Sequence, residues 1–269
     1  MSRTGGARPL ALGLLSAGVV GLGYPVVREL TSGTTRWTRS NFRGRDVSLA
    51  LGPAVGAGVV GALAAAPRSV RRGAIGAVAT AAVVGAYDDL YGDTHAKGLR
   101  GHARALREGR LTTGMIKAIS LGGAAALGSA RRSRNPVDIA LGTILVAGGA
   151  NLINLFDLRP GRAAKVTLAC GTLLRAGPDP AAAAIATGAA LAALAPDLGE
   201  SAMLGDTGAG TLGAALGWAA ATNGPRRRRA LLAMAVVGLT LASERVSFGT
   251  VIDAHPVLRR IDRLGRRPG

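Results

Sequence analysis

Nine apolar stretches, separated by short connections that carry most of the charge, constrain what this chain can fold into. They run over residues 9–27, 48–66, 73–87, 113–130, 136–153, 163–176, 181–196, 207–222 and 229–243. A helix that crosses a bilayer needs about 20 apolar residues, so most of the stretches are long enough and 163–176 and 181–196 are short. The pattern predicts an all-α polytopic integral membrane protein with nine to ten transmembrane helices, folded as a single domain over residues 1–269.

The charge of the chain agrees with this class and argues against nucleic-acid binding. Lys and Arg number 33 against 15 Asp and Glu, giving a net charge of +18, although 48% of the residues are apolar. Charge is therefore concentrated in short loops, as in multi-span membrane proteins, rather than along polar helices or tails. Aromatic residues make up only 3% of the chain, which leaves few side chains for stacking on bases.

The first apolar stretch allows two interpretations, whereas the glycines and the single cysteine fit a membrane protein. Arg3 and Arg8 precede the first stretch, so it reads either as a signal peptide or, as we prefer, as an uncleaved first span. The 41 glycines suit membrane helices that pack closely through small residues. The single cysteine, Cys170, lies in an apolar stretch and reads as a small core residue.

Alternate connections fall on opposite sides of a membrane. One side holds 28–47, 88–112, 154–162, 197–206 and the tail from Glu244, and it carries more Lys and Arg than the other side. The positive-inside rule therefore places this first side in the cytoplasm. The run 226–229, Arg-Arg-Arg-Arg, falls on the opposite side and departs from that rule.

Adjacent carboxylates end the third apolar stretch. Asp88 and Asp89 stand side by side where lipid gives way to water, and two such charges favour a divalent cation or another positive group between them. Lys97 follows in the same loop, next to Gly98, and can reach a phosphate as a point charge. A solvated helix end and a basic loop facing lipid headgroups are the simpler interpretations.

The fifth apolar stretch ends in a second polar set. Asn151, Asn154 and Asp157 are spaced by three residues, which puts them near one face of a helix. Polar groups at the end of a membrane helix are costly unless they have partners, and a polar ligand would be one. Arg159 and Arg162 follow and could neutralise phosphate charge. Amides joining two helices are the alternative.

A third set opens the eighth stretch, at Gly205-Asp206-Thr207-Gly208. Asp206 sits at a helix start, where it could be an N-cap, and a glycine-rich start also exposes backbone N–H groups to an anion. The glycines at 208, 210 and 213 spell G-x-G-x-x-G, but no strand precedes them, so a dinucleotide site is excluded.

Taken in order, these motifs resemble the polyprenyl-phosphate N-acetylhexosamine-1-phosphate transferase superfamily, from about residue 36 to the tail. That superfamily includes the translocase that makes the first lipid intermediate of peptidoglycan and the enzymes that start O-antigen and teichoic-acid chains. Its members are membrane enzymes with a cytoplasmic active site. They use Mg²⁺ to transfer a sugar-1-phosphate from a UDP-sugar to a polyprenyl phosphate, and they release UMP. Some form homodimers.

The resemblance implies a role for each candidate residue. Asp206 would be a magnesium ligand together with Asp88. The implied catalytic residues are Asp88, Asp89 and Asp157, and the implied substrate-binding residues are Lys97, Asn151, Asn154, Arg159 and His255. The implied location is the cytoplasmic membrane of a bacterium, in cell-wall or surface-glycan synthesis.

The chain departs from the family in several places. Leu158 replaces the glycine that usually follows the aspartate of the asparagine motif, the span count is low, and the histidine cluster of the peptidoglycan translocase is missing, with only His255 nearby. These departures leave a catalytically inactive relative, acting as a lipid-binding or scaffold protein, as the second hypothesis. A transporter is the third, although the carboxylates lie at span ends and not at span centres.

Overall fold

A computed structural model describes residues 4–92 and 98–267, with side chains at 7–92, 101 and 104–267. The described chain is mainly helical, which confirms the all-α class. Its twelve α-helices are α1 Thr4–Thr31, α2 Leu51–Ala65, α3 Arg68–Tyr91, α4 Gly98–Arg107, α5 Thr113–Arg132, α6 Pro136–Phe156, α7 Arg162–Arg175, α8 Ala181–Leu198, α9 Gly205–Thr222, α10 Arg226–Ser243, α11 Phe248–Ala254 and α12 Pro256–Arg263.

Each of the nine apolar stretches coincides with a helix, namely α1 to α3 and α5 to α10, whereas α4, α11 and α12 are short helices in the connections. Three helical segments in the described chain are long and apolar enough to cross a membrane: Ala7–Thr31, Pro136–Phe156 and Ala181–Leu198. A fourth results if α10 and α11, which meet at an angle of 93°, are one broken span. These apolar helices indicate association with a membrane.

Helix α9 lies at the centre of the bundle. It packs against α2, α3, α6, α7 and α8, and every one of its residues except Asp206 is buried. Most of these residues are Ala, Gly or Thr, so α9 presents small side chains to its neighbours. Its neighbours, rather than lipid, surround it.

Glycines set the distance between α9 and its neighbours. A Cβ added to Gly213 would lie 2.3 Å from the Gly149 carbonyl oxygen, and one added to Gly217 would lie 2.2 Å from the Leu145 carbonyl oxygen. A Cβ on Gly73 of α3 would meet the Trp218 ring at 2.0 Å. Small residues at such crossings allow helix backbones to approach closely, which explains the glycine content of the chain.

A two-stranded antiparallel hairpin interrupts the helices after α1. Strand β1 (Thr38–Ser40) pairs with β2 (Asp46–Ser48), after a 3₁₀ turn at Thr35–Trp37. The hairpin is fixed to the segment before α9, because the Met203 N–H donates to the Ser48 carbonyl at 2.9 Å.

The connections meet at two ends of the bundle. The hairpin, the end of α3, the loops after α6 and α8 and the C-terminal segment all contact one another at one end. We call it the carboxylate end because it holds Asp88, Asp89, Asp157 and Asp206.

At the opposite end of the bundle, the arginines of the run 226–229, which departs from the positive-inside rule, have structural partners. Asp138, in the first turn of α6, accepts hydrogen bonds from Arg226 at 2.9 and 3.1 Å and from Arg229 at 3.1 Å. Arg228 donates to the Asn223 side chain at 3.2 Å. Three of the four arginines therefore join helices at this end.

Candidate active site at the carboxylate end

The N-terminus of α9 is capped by a carboxylate from another helix. The residue before α9 is Leu204, whose side chain cannot accept a hydrogen bond from the free N–H groups of the first turn. Asp89 of α3 does so instead. Its Oδ1 accepts the Asp206 N–H at 2.8 Å, and its Oδ2 accepts the Thr207 N–H at 2.9 Å and the Thr207 hydroxyl at 2.6 Å. Both oxygens of Asp89 are thus engaged in positioning α9.

Glycines make this contact possible. Gly205 has φ +61°, and a Cβ there would lie 2.8 Å from Asp89 Oδ1. On α3, a Cβ at Gly85 would lie 2.5 Å from the Asp206 carbonyl oxygen. Helix α3 and the start of α9 can therefore approach only because both positions lack a side chain.

Asp88, Asp206 and Lys117 form an ionic cluster next to the cap. Lys117 Nζ, from the second turn of α5, lies 2.9 Å from Asp206 Oδ2 and 3.5 Å from Asp88 Oδ2. The three side chains are 17 to 22% exposed. Asp88 and Asp206 also share a hydrogen bond, and Thr113 donates to Asp88. The partly buried Lys117 ammonium therefore lies between the two carboxyl groups and reduces their mutual repulsion.

This cluster offers the donor set that the implied magnesium would use. Mg²⁺ is usually held by one or two carboxylates together with phosphate oxygens and water. Asp88 and Asp206 supply two carboxylates close enough to share a hydrogen bond. No group of three metal-ligating side chains occurs among the side chains that the structure describes. The other coordination positions would thus fall to water and ligand oxygens.

Asp157 joins the cluster from the end of α6. It is the C-cap residue of α6 and accepts a hydrogen bond from the Gly205 N–H. Burial raises the pKa of Asp157 well above its usual value, and the charges of Asp197, Asp89 and Asp206 raise it further. A carboxyl in this setting can hold a proton at a higher pH than usual, which suits a group that exchanges protons.

A groove between α5, α6 and α10 leads to the ionic cluster. We call it the helix groove; its volume is about 490 Å³. Its polar end holds Asp88, Lys117, Asn151, Asn154 and Thr240. The remainder of its lining is formed by glycine and apolar residues: Gly114, Ala118, Leu121, Ile144, Ala147, Gly148, Val236, Val237 and Leu241.

A second cavity of about 310 Å³ is lined by Asp157, which does not line the helix groove. We call it the hairpin cavity because β1, β2 and their turn form one wall. Its polar lining consists of Ser40, Asn41, Asp157, Arg159, Asp197 and Glu200. The Arg159 guanidinium lies over the Phe42 ring, 4.3 Å from its centroid. Glu200 accepts a hydrogen bond from Asn41 at 2.8 Å and pairs with Arg43 at 3.3 Å.

The structure brings together some of the residues expected from sequence and separates others. Asp88, Asp89, Asp157 and Asp206 converge. Asn151 and Asn154 line the helix groove, whereas Arg159 lines the hairpin cavity.

One expected substrate contact is not part of this arrangement, and another is not described. His255 is exposed at the junction of α11 and α12 and lines neither cavity. Lys97 lies outside the described residues.

Lys117 is the cluster member that the motifs did not identify. It lies within an apolar stretch, and a lysine inside a potential membrane helix is itself a signal, because such a charge is costly without a partner. The carboxylate end therefore contains a cation that links the first and third motifs.

A scan of the chain against protein-family models finds no match, and a search of curated proteins finds no significant similarity.

Proposed function

We propose that the protein is a membrane-embedded transferase that moves a sugar-1-phosphate from a UDP-sugar to a polyprenyl phosphate and releases UMP. The observation that supports this most is the position of the carboxylates between two cavities. Asp88 and Lys117 stand at the polar end of a largely apolar groove, and Asp157 stands on the wall of a second cavity together with Arg159. A lipid acceptor and a water-soluble donor could approach such a site from different sides.

The helix groove suits the lipid phosphate. Its apolar part runs along α5, α6 and α10, where a prenyl chain would replace lipid contacts at little cost. The Lys117 ammonium and the amides of Asn151 and Asn154 can donate hydrogen bonds to a phosphate at the polar end.

The hairpin cavity suits the nucleotide. A nucleotide diphosphate requires cationic or N–H donor groups for its phosphate oxygens. Arg159, which lies over the Phe42 ring, supplies a cation next to the Asp157 loop. With magnesium it would offset the carboxyl groups of Asp157, Asp197 and Glu200 that also line the cavity.

In the proposed reaction, an oxygen of the lipid phosphate attacks the phosphorus that carries the sugar. A new P–O bond forms there as the bond to the bridging oxygen of UMP breaks. Asp88 accepts any proton that the lipid phosphate carries, and Lys117 balances the developing negative charge. Magnesium held by Asp206 and Asp88 would supply further charge neutralisation.

We further propose that the nine helices α1 to α3 and α5 to α10 all cross the membrane. The helices of 18 to 24 residues measure about 27–36 Å at 1.5 Å per residue, close to the ~30 Å thickness of the bilayer core. The shorter α2 and α7 would cross inside the bundle. The carboxylate end would then face the cytoplasm of a bacterial cell, where UDP-sugars occur, and an exposed helix face could support a homodimer.

The direct test is UMP release by the purified protein in detergent with Mg²⁺, a polyprenyl phosphate and a panel of UDP-sugars. We expect release with at least one donor, and no release from Asp88→Asn or Asp206→Asn. Asp138→Asn, which alters a carboxylate at the opposite end, should retain activity. Absence of release with every donor would contradict the proposal.

A second assay tests the helix groove. Ala118 lines it, whereas the next residue on α5, Ile119, is exposed and does not. Ala118→Phe should raise the KM for the lipid without changing the KM for the nucleotide. Ile119→Phe is the matched control and should change neither.

One observation favours a second candidate, a catalytically inactive relative that binds polyprenyl phosphate. Lys117 already pairs with both Asp88 and Asp206, so a cation lies between the two carboxylates without a metal. Such a protein would bind the lipid phosphate, release no UMP with any donor, and keep its cellular role when Asp206 is replaced by Asn.

A further inference from the structure

The C-terminal segment contacts Pro160, which lines the hairpin cavity, and Arg43 of the hairpin. We call residues 256–267, which comprise α12 and the tail after it, the C-terminal strap. Lys165 of α7 holds it by donating to the carbonyl oxygens of Asp262 at 2.8 Å and Leu264 at 2.6 Å. Arg43 of the hairpin donates to the Arg267 carbonyl at 3.0 Å. The strap therefore joins α7 to the hairpin.

Asp262 is the buried centre of this attachment. Its side chain and that of Arg162 are each 4% exposed, and Arg162 donates to both carboxylate oxygens, at 2.8 and 3.0 Å. Arg266 donates to the same carboxylate. One carboxylate thus orients two guanidinium groups, and its pair with Arg162 has the two-point geometry that fixes direction as well as distance.

Both arginines act on the loop that carries Asp157. Arg266 Nε donates to the Pro160 carbonyl at 3.0 Å, and Arg162 is the first residue of α7, directly after the loop. Between them, the Gly161 N–H donates to Asp197 Oδ2 at 3.0 Å. The loop is therefore held at consecutive residues, and two of the three attachments depend on Asp262.

We propose that Asp262 is a positioning residue which, through Arg162 and Arg266, fixes the Asp157–Gly161 loop and so sets the shape of the hairpin cavity for a nucleotide ligand. The nature of the ligand rests on the proposed function, whereas the control of the loop by Asp262 does not. Asp262 itself faces its two arginines and does not line the hairpin cavity.

The chain provides a matched control for this proposal. Asp138 also pairs with two arginines, Arg226 and Arg229, at comparable distances, but at the opposite end of α6. Replacing it by Asn weakens a similar cluster of one carboxylate and two arginines, and it should leave the Asp157 loop unchanged. If both variants lose donor affinity or loop protection, the effect is one of general stability. If only Asp262→Asn does, the effect comes from the position of the loop.

The first experiment measures hydrogen exchange at the backbone amides of residues 157–159, 161 and 162 in the purified full chain, since Pro160 has no N–H. We expect faster exchange in Asp262→Asn than in the natural protein and no change in Asp138→Asn. Arg266→Gln, which removes the bond to Pro160 while leaving the Arg162 pair, should give an intermediate increase and serves if Asp262→Asn does not fold. Unchanged exchange in Arg266→Gln, or equal exchange in the two Asn variants, would overturn the proposal.

The second experiment measures UMP release. A loop displaced by even about 1 Å can cost up to ~100-fold in rate, so we expect Asp262→Asn to raise the donor KM by about tenfold or more. The KM for the lipid should stay within about twofold, because the helix groove is lined by other elements. Asp262→Glu, which keeps the charge, should restore part of the donor affinity, and equal changes in both KM values would contradict the positioning role.

These two measurements separate the proposals. If the natural protein releases no UMP while Asp262→Asn still loosens the loop, the transferase proposal fails and the positioning role of Asp262 stands. If UMP is released and the loop is unaffected by Asp262→Asn and Arg266→Gln, the transferase proposal stands and the positioning role of Asp262 fails.

Discussion

Asp89 Oδ2 accepts two hydrogen bonds from Thr207, one from its backbone N–H at 2.9 Å and one from its hydroxyl at 2.6 Å. The two residues are 118 positions apart in the chain, and their contact joins the end of α3 to the start of α9. The adjacent carboxylate, Asp88, instead faces Lys117 and Asp206. The two members of the aspartate pair therefore have different surroundings, and different effects are expected from changing them.

Replacing Asp89 by Asn should destabilise the protein. An amide nitrogen would face N–H donors that the carboxylate now accepts, and hydrogen bonds to charged groups contribute about 1.5–3 kcal/mol each. We expect the free energy of unfolding to fall by about 1–3 kcal/mol, measured by thermal unfolding in detergent. Asp88→Asn should lose less stability, because Asp88 does not cap α9 and the new amide oxygen can still accept a hydrogen bond from Lys117. Equal losses in the two variants would show that the cap at α9 is unimportant.

Replacing Gly205 by Ala tests the close approach of Asp89. The positive φ at Gly205 costs an L-residue about 1–2 kcal/mol, and the new Cβ would also meet Asp89 Oδ1 at 2.8 Å. Gly44 has φ +71° with nothing within 4 Å of an added Cβ, so Gly44→Ala carries the backbone strain alone. The unfolding midpoint should therefore fall further in Gly205→Ala than in Gly44→Ala. A similar fall in both would mean that the contact adds nothing to the strain.

Replacing Lys117 by Met should make the stability of the protein depend on a divalent cation. Without the ammonium, Asp88 and Asp206 repel each other, and we expect a loss on the order of 1–3 kcal/mol in EDTA. Added Mg²⁺ should restore more stability to this variant than to the natural protein, since it can neutralise the same carboxylates. Lys165→Met is the control, because Lys165 donates to backbone carbonyl oxygens. Any stability lost in this variant should not be restored by Mg²⁺.

Acid should release the C-terminal strap. Burial acts to raise the pKa of Asp262, but the hydrogen bonds and charge of Arg162, with Arg266 and Lys165, hold that pKa below its usual value of 3.8. The folded state then binds fewer protons than the unfolded state, so the contribution of Asp262 to stability is complete above this value and is lost as the pH falls below it.

Unfolding measured from about pH 6 to about pH 3 should therefore show a decline that Asp262→Asn makes less steep. The control is Asp253→Asn, which removes an exposed carboxylate of α11 and should leave the decline unchanged. An identical pH dependence in the natural protein and Asp262→Asn would contradict this expectation.

Apolar stretches were enough to predict where the principal helices lie, because burial in lipid or in a helical core requires the same run of side chains. The stretch predicted at 136–153 became α6, Pro136–Phe156, with Asn135 capping its start through the Val137 N–H at 3.0 Å. The hairpin was not predicted, since three-residue strands are too short to show an alternating pattern. Helices α11 and α12 were also missed, because the tail from Glu244 has no long apolar run.

The candidate site was predictable where residues stand next to one another in a motif and less so where they meet through the fold. Asp88, Asp157 and Asp206 carried signals of their own, but the pairing of Asp206 with Lys117 depends on how α5 packs against α3. Likewise, the sequence placed Asn151 and Asp157 on one helix face, whereas the end of α6 directs them into different cavities. The roles of these residues in catalysis remain predictions.

The composition of α9 determines which kind of mutagenesis can be informative there. Seventeen of its eighteen residues are buried, and six of these are already Ala, so alanine scanning is silent at those six positions. At Gly213 and Gly217, by contrast, even alanine would place a Cβ 2.3 and 2.2 Å from a carbonyl oxygen of α6. The stability of the protein should therefore be most sensitive to larger side chains in this helix, above all at Gly213 and Gly217, where the neighbouring backbone lies closest. Over evolution, such a helix would tolerate chemical variety poorly and size increases least, so drift in this protein should accumulate on the outer faces of α1 and α10 instead.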